Sequence, residues 1–280
     1  MRILRLSLIA IWGWVRVYRS FLSLKISPIF AFLKLFLLLK FGGALKVKVE
    51  KTVNTIYFRP NSTDLHVLAQ VFPNYLPKTH SKIIIQMYKE IIQKGKTPFI
   101  VDAGAYIGVT SFFFAKTFPT ASILAIEPSA QNYAMLEKNS RELPNIHVMN
   151  AAVGPKGKAL KVTDPDMGEW GYRTELIKQG DESLPTQSLQ FGDLPDLSKS
   201  QFPFICKLDI EGAEQYLNES DWDEIMKYSI VIIEPHDWML PGKHTSFGFM
   251  AAHSKSQDPR DIVLVGENIW SIAINSTRAS

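Results

Sequence analysis

FIVDAGAYIG, residues 99–108, opens with three apolar residues, reaches a carboxylate at Asp102 and then turns on Gly104 and Gly108. An uninterrupted apolar run leading into glycines reads as a buried strand feeding a tight turn, with a helix to follow. The next residues fit that reading, because 108–118 form an apolar segment closed by Pro119. A strand covered on both faces and followed at once by a helix is the unit from which parallel sheets are built.

Outward from this stretch the same rhythm repeats. SILAIE ends in Glu127, and a helix over 130–143 stops at Pro144. IHVMNAAVG, FPFICKLDI and YSIVIIEPH supply a third, fourth and fifth strand. DIVLVGENIWSIAIN places two strands around Gly-Glu-Asn, an antiparallel hairpin. The fold class expected is α/β: a seven-stranded, mostly parallel, Rossmann-like sheet with helices on both faces and a C-terminal antiparallel hairpin. Upstream, VKVEKTVNTIYFRP has the composition of a short hairpin. SKIIIQMYKEIIQKGK has the spacing of a helix buried through Ile84, Met87, Tyr88 and Ile91. The expected organisation is a basic apolar helical segment over 1–45, a strand and helix extension over 46–98, and a main domain over 99–280. An insertion at about 154–200 is too long for a single crossover helix.

Composition narrows the function. The single Cys206 cannot form an internal disulfide and sits in an apolar run, as a small buried hydrophobe would. No His/Cys cluster has zinc-ligand spacing, so no metal is assigned from sequence. The net charge of +4 is uneven: residues 1–48 carry nine basic residues and no acid, which leaves the remainder at −5. That distribution speaks against nucleic acid as a partner of the main domain. In the first 45 residues, Arg2, Arg5, Arg16 and Arg19 fall on one third of a helical wheel, with Trp12 and Trp14 nearby. This is the pattern of an amphipathic helix lying on an anionic membrane surface, with the protein otherwise cytoplasmic. The longest charge-free stretch, 6–15, is too short to span a bilayer.

Asp102, Glu127, Asn150, Asp209 and His236 all fall at or just after expected strand ends. In open α/β sheets that rim is where ligands bind. A dinucleotide would set its pyrophosphate on the helix N-terminus after the first strand and favours Gly-x-Gly-x-x-Gly, but the middle glycine is here Tyr106. Asp102 would also repel the phosphates by about 4 kcal/mol at about 4 Å and an effective dielectric near 20. S-adenosylmethionine (SAM) carries an ammonium and a sulfonium and no phosphate, so the same acid becomes favourable. Glu127 can accept both ribose hydroxyls of either cofactor. The cofactor-binding set expected is therefore Asp102, Gly104, Ala105, Tyr106, Gly108, Glu127, Asn150, Ala151 and Asp209.

The blocks VDAGAYIGVTSFFFA, AIEPSAQNYAMLEKN, NAAVG, KLDIEGAE and IIEPHDW, in this order, resemble the FkbM-type family of SAM-dependent methyltransferases. The upstream STDLHVLAQVF and the closing Gly-Glu-Asn hairpin also resemble it, so the likeness runs over about 61–275. Where that family commonly carries Asn in the glycine turn, this chain has Tyr106. The resemblance implies the seven-stranded methyltransferase sheet and methyl transfer, usually to oxygen.

For the chemistry, Asp209 and Glu211 in KLDIEGAE and His236 in EPHDW form the expected catalytic group. Asp209 and Glu211 share a side of the chain, where the pair could also hold a divalent cation that acidifies a bound hydroxyl, but no full metal-ligand pattern is present. A histidine with its ordinary pKa near 6.5 suits a general base. Glu214 reads as a helix cap. GEWGYR, with Trp170, Tyr172 and Arg173, reads either as a grip on a sugar or acidic acceptor or as a loop anchor. The function expected is O-methylation of a small-molecule, glycan or lipid acceptor at a membrane surface. An NAD-dependent oxidoreductase and a non-catalytic membrane adaptor are the alternatives. Sequence leaves the oligomeric state open.

Overall fold

In the computed structural model the residues described are 40–49, 52–71, 75–155, 158–164, 171–177, 185–194 and 200–274. Residues 1–39, on which most of the membrane-surface expectation falls, lie outside them, as does Trp170. No helix among the described residues is long and apolar enough to cross a membrane.

The chain opens with an antiparallel hairpin of β1 (Gly43–Val49) and β2 (Thr52–Phe58). Two helices follow, α1 (Asp64–Val71) and α2 (Ser81–Gln93). The α2 helix buries Ile84, Met87, Tyr88 and Ile91, the four positions its spacing marks, and the chain leaves it through Gly95 at φ +72°. The central sheet begins with β3 (Thr97–Ala103), α3 (Val109–Thr117), β4 (Ser122–Ile126), α4 (Ala130–Ser140) and β5 (Ile146–Met149). It resumes with β10 (Gln201–Leu208), α5 (Glu219–Ile225), β11 (Ile230–Ile233), α6 (Phe247–Lys255), β12 (Arg260–Val265) and β13 (Asn268–Ala273).

These strands form one seven-stranded sheet in the order β12-β13-β11-β10-β3-β4-β5. The β13 strand runs antiparallel to both of its neighbours, and the other pairs are parallel. The expected hairpin is β12–β13, closed by Gly266 and Glu267, with Asn268 already in the ladder. Strand order reverses between β3 and β10, and in open α/β sheets ligands bind beyond the carboxyl ends of the strands at such a reversal.

Alternation along each strand feeds two cores. Phe99, Val101 and Ala103 join Cys206, Leu208, Val231 and Ile233 under α5 and α6, with Trp222 and Phe249. Ile100, Ile123, Ile205, Ile232 and Trp270 face the other way, under α1, α2 and α3, with Tyr75, Phe112 and Phe114. Asp102 lies between Val101 and Ala103 and so projects into the second of these cores.

Two expectations change. The third strand was read through NAAVG, but β5 ends at Met149; Ala152–Val153 (β6) leaves the sheet and pairs in parallel with Ser188–Leu189 (β9). The insertion is partly strand: β7 (Leu160–Thr163) pairs antiparallel with β8 (Arg173–Leu176).

Candidate active site

The site is built from two rims facing each other across the strand-order reversal. The first carries the turn after β3 and the ends of β4 and β5. Gly104 has φ +77°, and a Cβ there would lie 1.7 Å from the Asp209 carbonyl oxygen. The turn therefore needs glycine because it packs on the backbone leaving β10, before any ligand is considered. The N–H groups of Gly104 and Ala105 both donate to Ile126 O, at 3.0 and 2.9 Å. Gly108, at φ +87°, caps α3; a Cβ there would meet Leu136 Cδ1 of α4 at 2.8 Å.

Tyr106 holds φ +53°, costly for a bulky residue, and two bonds fix it there. Its N–H donates to Glu127 Oε2 at 2.9 Å, and its hydroxyl donates to Asp64 Oδ1 at 2.6 Å. The ring thus points into the N-terminal extension, stacked under Arg59 at 5.4 Å, and does not project into the crevice as an obstacle to phosphate. Arg59 holds the fully buried Asp64 with two nitrogens, Nη2 at 2.7 Å and Nε at 3.2 Å, and donates from Nη1 to Asn132 Oδ1 at 2.8 Å. Asn132 Nδ2 reaches Glu127 Oε1 at 3.4 Å. The five side chains form a closed circuit from the extension to the acid at the end of β4.

Glu127 is buried, and Oε1 also accepts from Ser129 N at 2.9 Å. Burial pushes its carboxyl up to about 7, against the pull of the bonds from Ser129, Tyr106 and Asn132. Asn150 supports the same corner by donating to Glu127 O at 2.8 Å and Pro128 O at 3.2 Å. Ala151, fully buried, backs it.

Asp102 differs most from its expected role. It is fully buried, accepts from Ser111 Oγ, and has Lys207 Nζ 3.3 Å from Oδ1. Lys207 stands beside it in register on β10, 4% exposed, and also donates to Asp209 Oδ2 at 3.1 Å and Gly104 O at 3.4 Å. Burial lowers the lysine's pKa, but Asp209 and Asp102 outweigh this and hold it above its ordinary value. The charge of Asp102 is therefore answered inside the protein and is not left to attract a cationic cofactor. Tyr75, packed edge-on against Phe113, Phe114 and Trp270, lies close enough to Lys207, Asp102, Asp209 and Glu234 to feel their charges.

The second rim gathers the catalytic group. After β10 the chain turns sharply through Glu211 at φ +53° and Gly212 at φ +94°; a Cβ on Gly212 would lie 2.2 Å from Leu240 Cδ1. After β11 come Glu234 and His236. The imidazole is 1% exposed, with Nδ1 3.1 Å from Glu214 Oε1, and Nε2 3.5 Å from Glu211 Oε2 and 3.8 Å from Asp209 Oδ1. Asp209, Glu211 and His236 do converge as expected. Burial lowers the histidine's pKa, but the Glu214 bond and the charges of Glu214, Glu211 and Asp209 lift it to about 10. The surrounding carboxylates thus favour the protonated ring, which must give up its Nε2 proton before that nitrogen can act as a base or a ligand. Burial first, then Asp209, raises Glu234 to about 8, and burial raises Glu211 well above the usual carboxylate range.

Sequence reading passed over Lys207, Tyr75 and Glu234, and it misplaced Glu214, which is 1% exposed and bonded to His236 rather than capping a helix in solvent. The strand-end position of Glu234, in the quoted IIEPHDW, was the available signal. Of GEWGYR, Arg173 begins β8 and Tyr172 precedes it.

A seven-stranded sheet with one antiparallel strand, an acid closing β4 and a crevice at the reversal define a methyltransferase-type α/β protein. The chain belongs to the Methyltransferase FkbM domain family, which matches residues 102–258. It is 26% identical over 175 residues to Methyltransferase 1 of Beauveria bassiana (strain ARSEF 2860), covering 52% of this chain and 69% of that protein. It is 25% identical over 200 residues to Methyltransferase sdnD of Sordaria araneosa, covering 55% of this chain and 77% of that one. Among solved structures it is similar to the methyltransferase FkbM from Methylobacillus flagellatus KT, at 14% identity and a TM-score of 0.41, over 74% of this chain. The chain spans 53% of the length of that protein. The family and these relatives are methyltransferases, and the oxidoreductase and adaptor alternatives gain no support.

Proposed function

We propose that this protein transfers a methyl group from SAM to a hydroxyl oxygen of a small-molecule, glycan or lipid acceptor. The observation that carries this reading is the pairing of the two rims across one crevice. A buried carboxylate suited to ribose hydroxyls stands on one side, and a cluster of acids around His236 stands on the other. The donor set fits a cationic cofactor. Asp209 and Glu214 face His236, and Lys207 is already engaged by Asp102, so neither positive charge is left over for a phosphate. At about 4 Å and an effective dielectric near 20, each added negative charge would cost of order 4 kcal/mol, which disfavours a diphosphate.

When bound, SAM supplies a methyl group on a positively charged sulfur. Glu127 would hold the ribose, the 104–106 backbone the methionine portion, and Asn150 with Ala151 the adenine end. Asp209 borders both partners. The protein's task is to hold the acceptor hydroxyl in line with the methyl group, about 3–3.5 Å away, and to receive its proton. Asp209, on the second rim, is placed to take it. Residues 1–45 are proposed to bring this domain to a membrane surface, where a lipid-linked acceptor would be met.

Isothermal titration with SAM and S-adenosylhomocysteine tests the cofactor. Binding by the parent chain and at least tenfold weaker binding by Glu127→Gln are expected. No SAM binding, with tight NAD binding instead, would refute the proposal. Mass spectrometry of cells lacking the protein identifies the acceptor as the species that loses a methyl increment.

A further inference from the structure

We propose that Asp209, Glu234 and His236 bind a divalent first-row transition-metal ion, Mn(II) or Zn(II), on the acceptor side of the crevice. Each offers one ligand atom, and these atoms all lie within 4.8 Å of one another. Ligands on one ion with bonds of about 2.0–2.2 Å stand about 3.0 Å apart at right angles and about 3.5 Å apart in a tetrahedron. His236 Nε2 lies 3.8 Å from Asp209 Oδ1, a little beyond that range, and 3.5 Å from Glu211 Oε2. Both are too long for hydrogen bonds.

The histidine supplies an independent observation. It is 1% exposed, yet Nε2 has no hydrogen-bond partner among the described residues, and neither has the buried Glu211 Oε2. A buried polar atom in that condition requires an explanation. The opposite ring nitrogen is fixed by Glu214 Oε1 at 3.1 Å, and Glu214 itself accepts from Ile210 N at 3.3 Å. A carboxylate gripping Nδ1 while Nε2 faces other carboxylates is how metal-bound histidines are oriented. Asp209 is divided to match: Oδ2 faces Lys207, and Oδ1 faces His236. The lysine therefore does not block the site.

Donor chemistry sets the class of ion. One imidazole nitrogen with two carboxylate oxygens favours Mn(II) or Zn(II) over Mg(II) or Ca(II), which prefer oxygen alone. The ion's role, lowering the pKa of a coordinated acceptor hydroxyl so that its proton passes to a neighbouring carboxylate, rests on the methyl-transfer reading. Its binding does not.

The full chain, stripped with a chelator and dialysed, is titrated with MnCl2 and with ZnCl2 in the absence of SAM. Mn(II) is followed by electron paramagnetic resonance and Zn(II) by calorimetry. One equivalent is expected to bind. Glu234→Gln and His236→Gln should each weaken it at least tenfold, and Glu214→Gln by about 10–100-fold. The exposed Glu219→Gln should change nothing. Equal binding by the parent and a folded Glu234→Gln/His236→Gln double variant would overturn the proposal. If those variants do not fold, pulsed resonance on Mn(II)-loaded parent protein decides, since absence of a histidine nitrogen coupling would overturn it equally. Metal binding without SAM binding would sink the methyl-transfer reading and leave this site standing; the reverse result would sink the site alone.

Discussion

Replacing Lys207 with methionine should be among the most damaging single substitutions in the protein. The ammonium lies 3.3 Å from Asp102 Oδ1 and 3.1 Å from Asp209 Oδ2. Asp102 is fully buried, and its Oδ1 has no hydrogen-bond partner among the described residues, so the lysine's charge is what compensates it. Methionine conserves the packing of the stem and deletes only the charge. Breaking a buried pair by removing one partner costs about 3–5 kcal/mol, because the remaining charge is left uncompensated. At roughly 2 °C per kcal/mol for a chain of this size, the melting temperature should fall by about 6–10 °C. Urea unfolding of the parent, Lys207→Met, Asp102→Asn and the double variant completes a cycle. The double variant should recover more than half of the loss, because Asn no longer needs the cation. A Lys207→Met protein within about 1 kcal/mol of the parent would refute the reasoning.

Four further outcomes are expected. Glu127 has its carboxyl raised from 4.5 to about 7, and ribose hydroxyls favour the ionised form, so SAM affinity should fall as pH drops below about 7. The loss should approach tenfold per pH unit in calorimetry from pH 8.5 to 5.5, and a flat profile would show that Glu127 does not hold the ribose. The same raised value makes the ligand-free fold lose stability as pH rises between those two values, since the native state binds the proton more tightly there. Gly104→Ala should fail to give folded protein, because its Cβ would fall on the Asp209 carbonyl at 1.7 Å; soluble protein with an unchanged circular dichroism melt would contradict this. Tyr106→Phe removes the bond to buried Asp64 and should cost about 1–3 kcal/mol in chemical denaturation while weakening SAM binding through the loosened Glu127.

How much was legible depended on whether the cause was local. The succession of strands and helices along the chain could be anticipated because apolar runs and stops such as Gly95 and Pro119 are local signals. The convergence of Asp209, Glu211 and His236 followed from strand-end position. The partner of Asp102 was not readable in this way. Parity along 99–103 places Asp102 opposite Phe99 and Val101, but only the register of β10 on β3 brings Lys207 beside it. Tyr106 carried the same difficulty. Its left-handed backbone and its bond to Asp64, 42 residues earlier, decide where the ring points, and neither is written in the turn itself. Gly104 looked like room for a ligand and is instead room for the carbonyl of residue 209.

The position of β13 bears on how the protein comes into being. The last strand of the sheet to be synthesised is threaded between β11 and β12. Until Asn268–Ala273 emerges, β11 presents an open edge and the cavity later filled by Trp270 stays wet. The fold thus cannot accrete strand by strand behind the ribosome. It must wait for its final hydrophobic strand to insert, and during that interval the open edge of β11 is the part of the half-built sheet exposed to pairing with another chain.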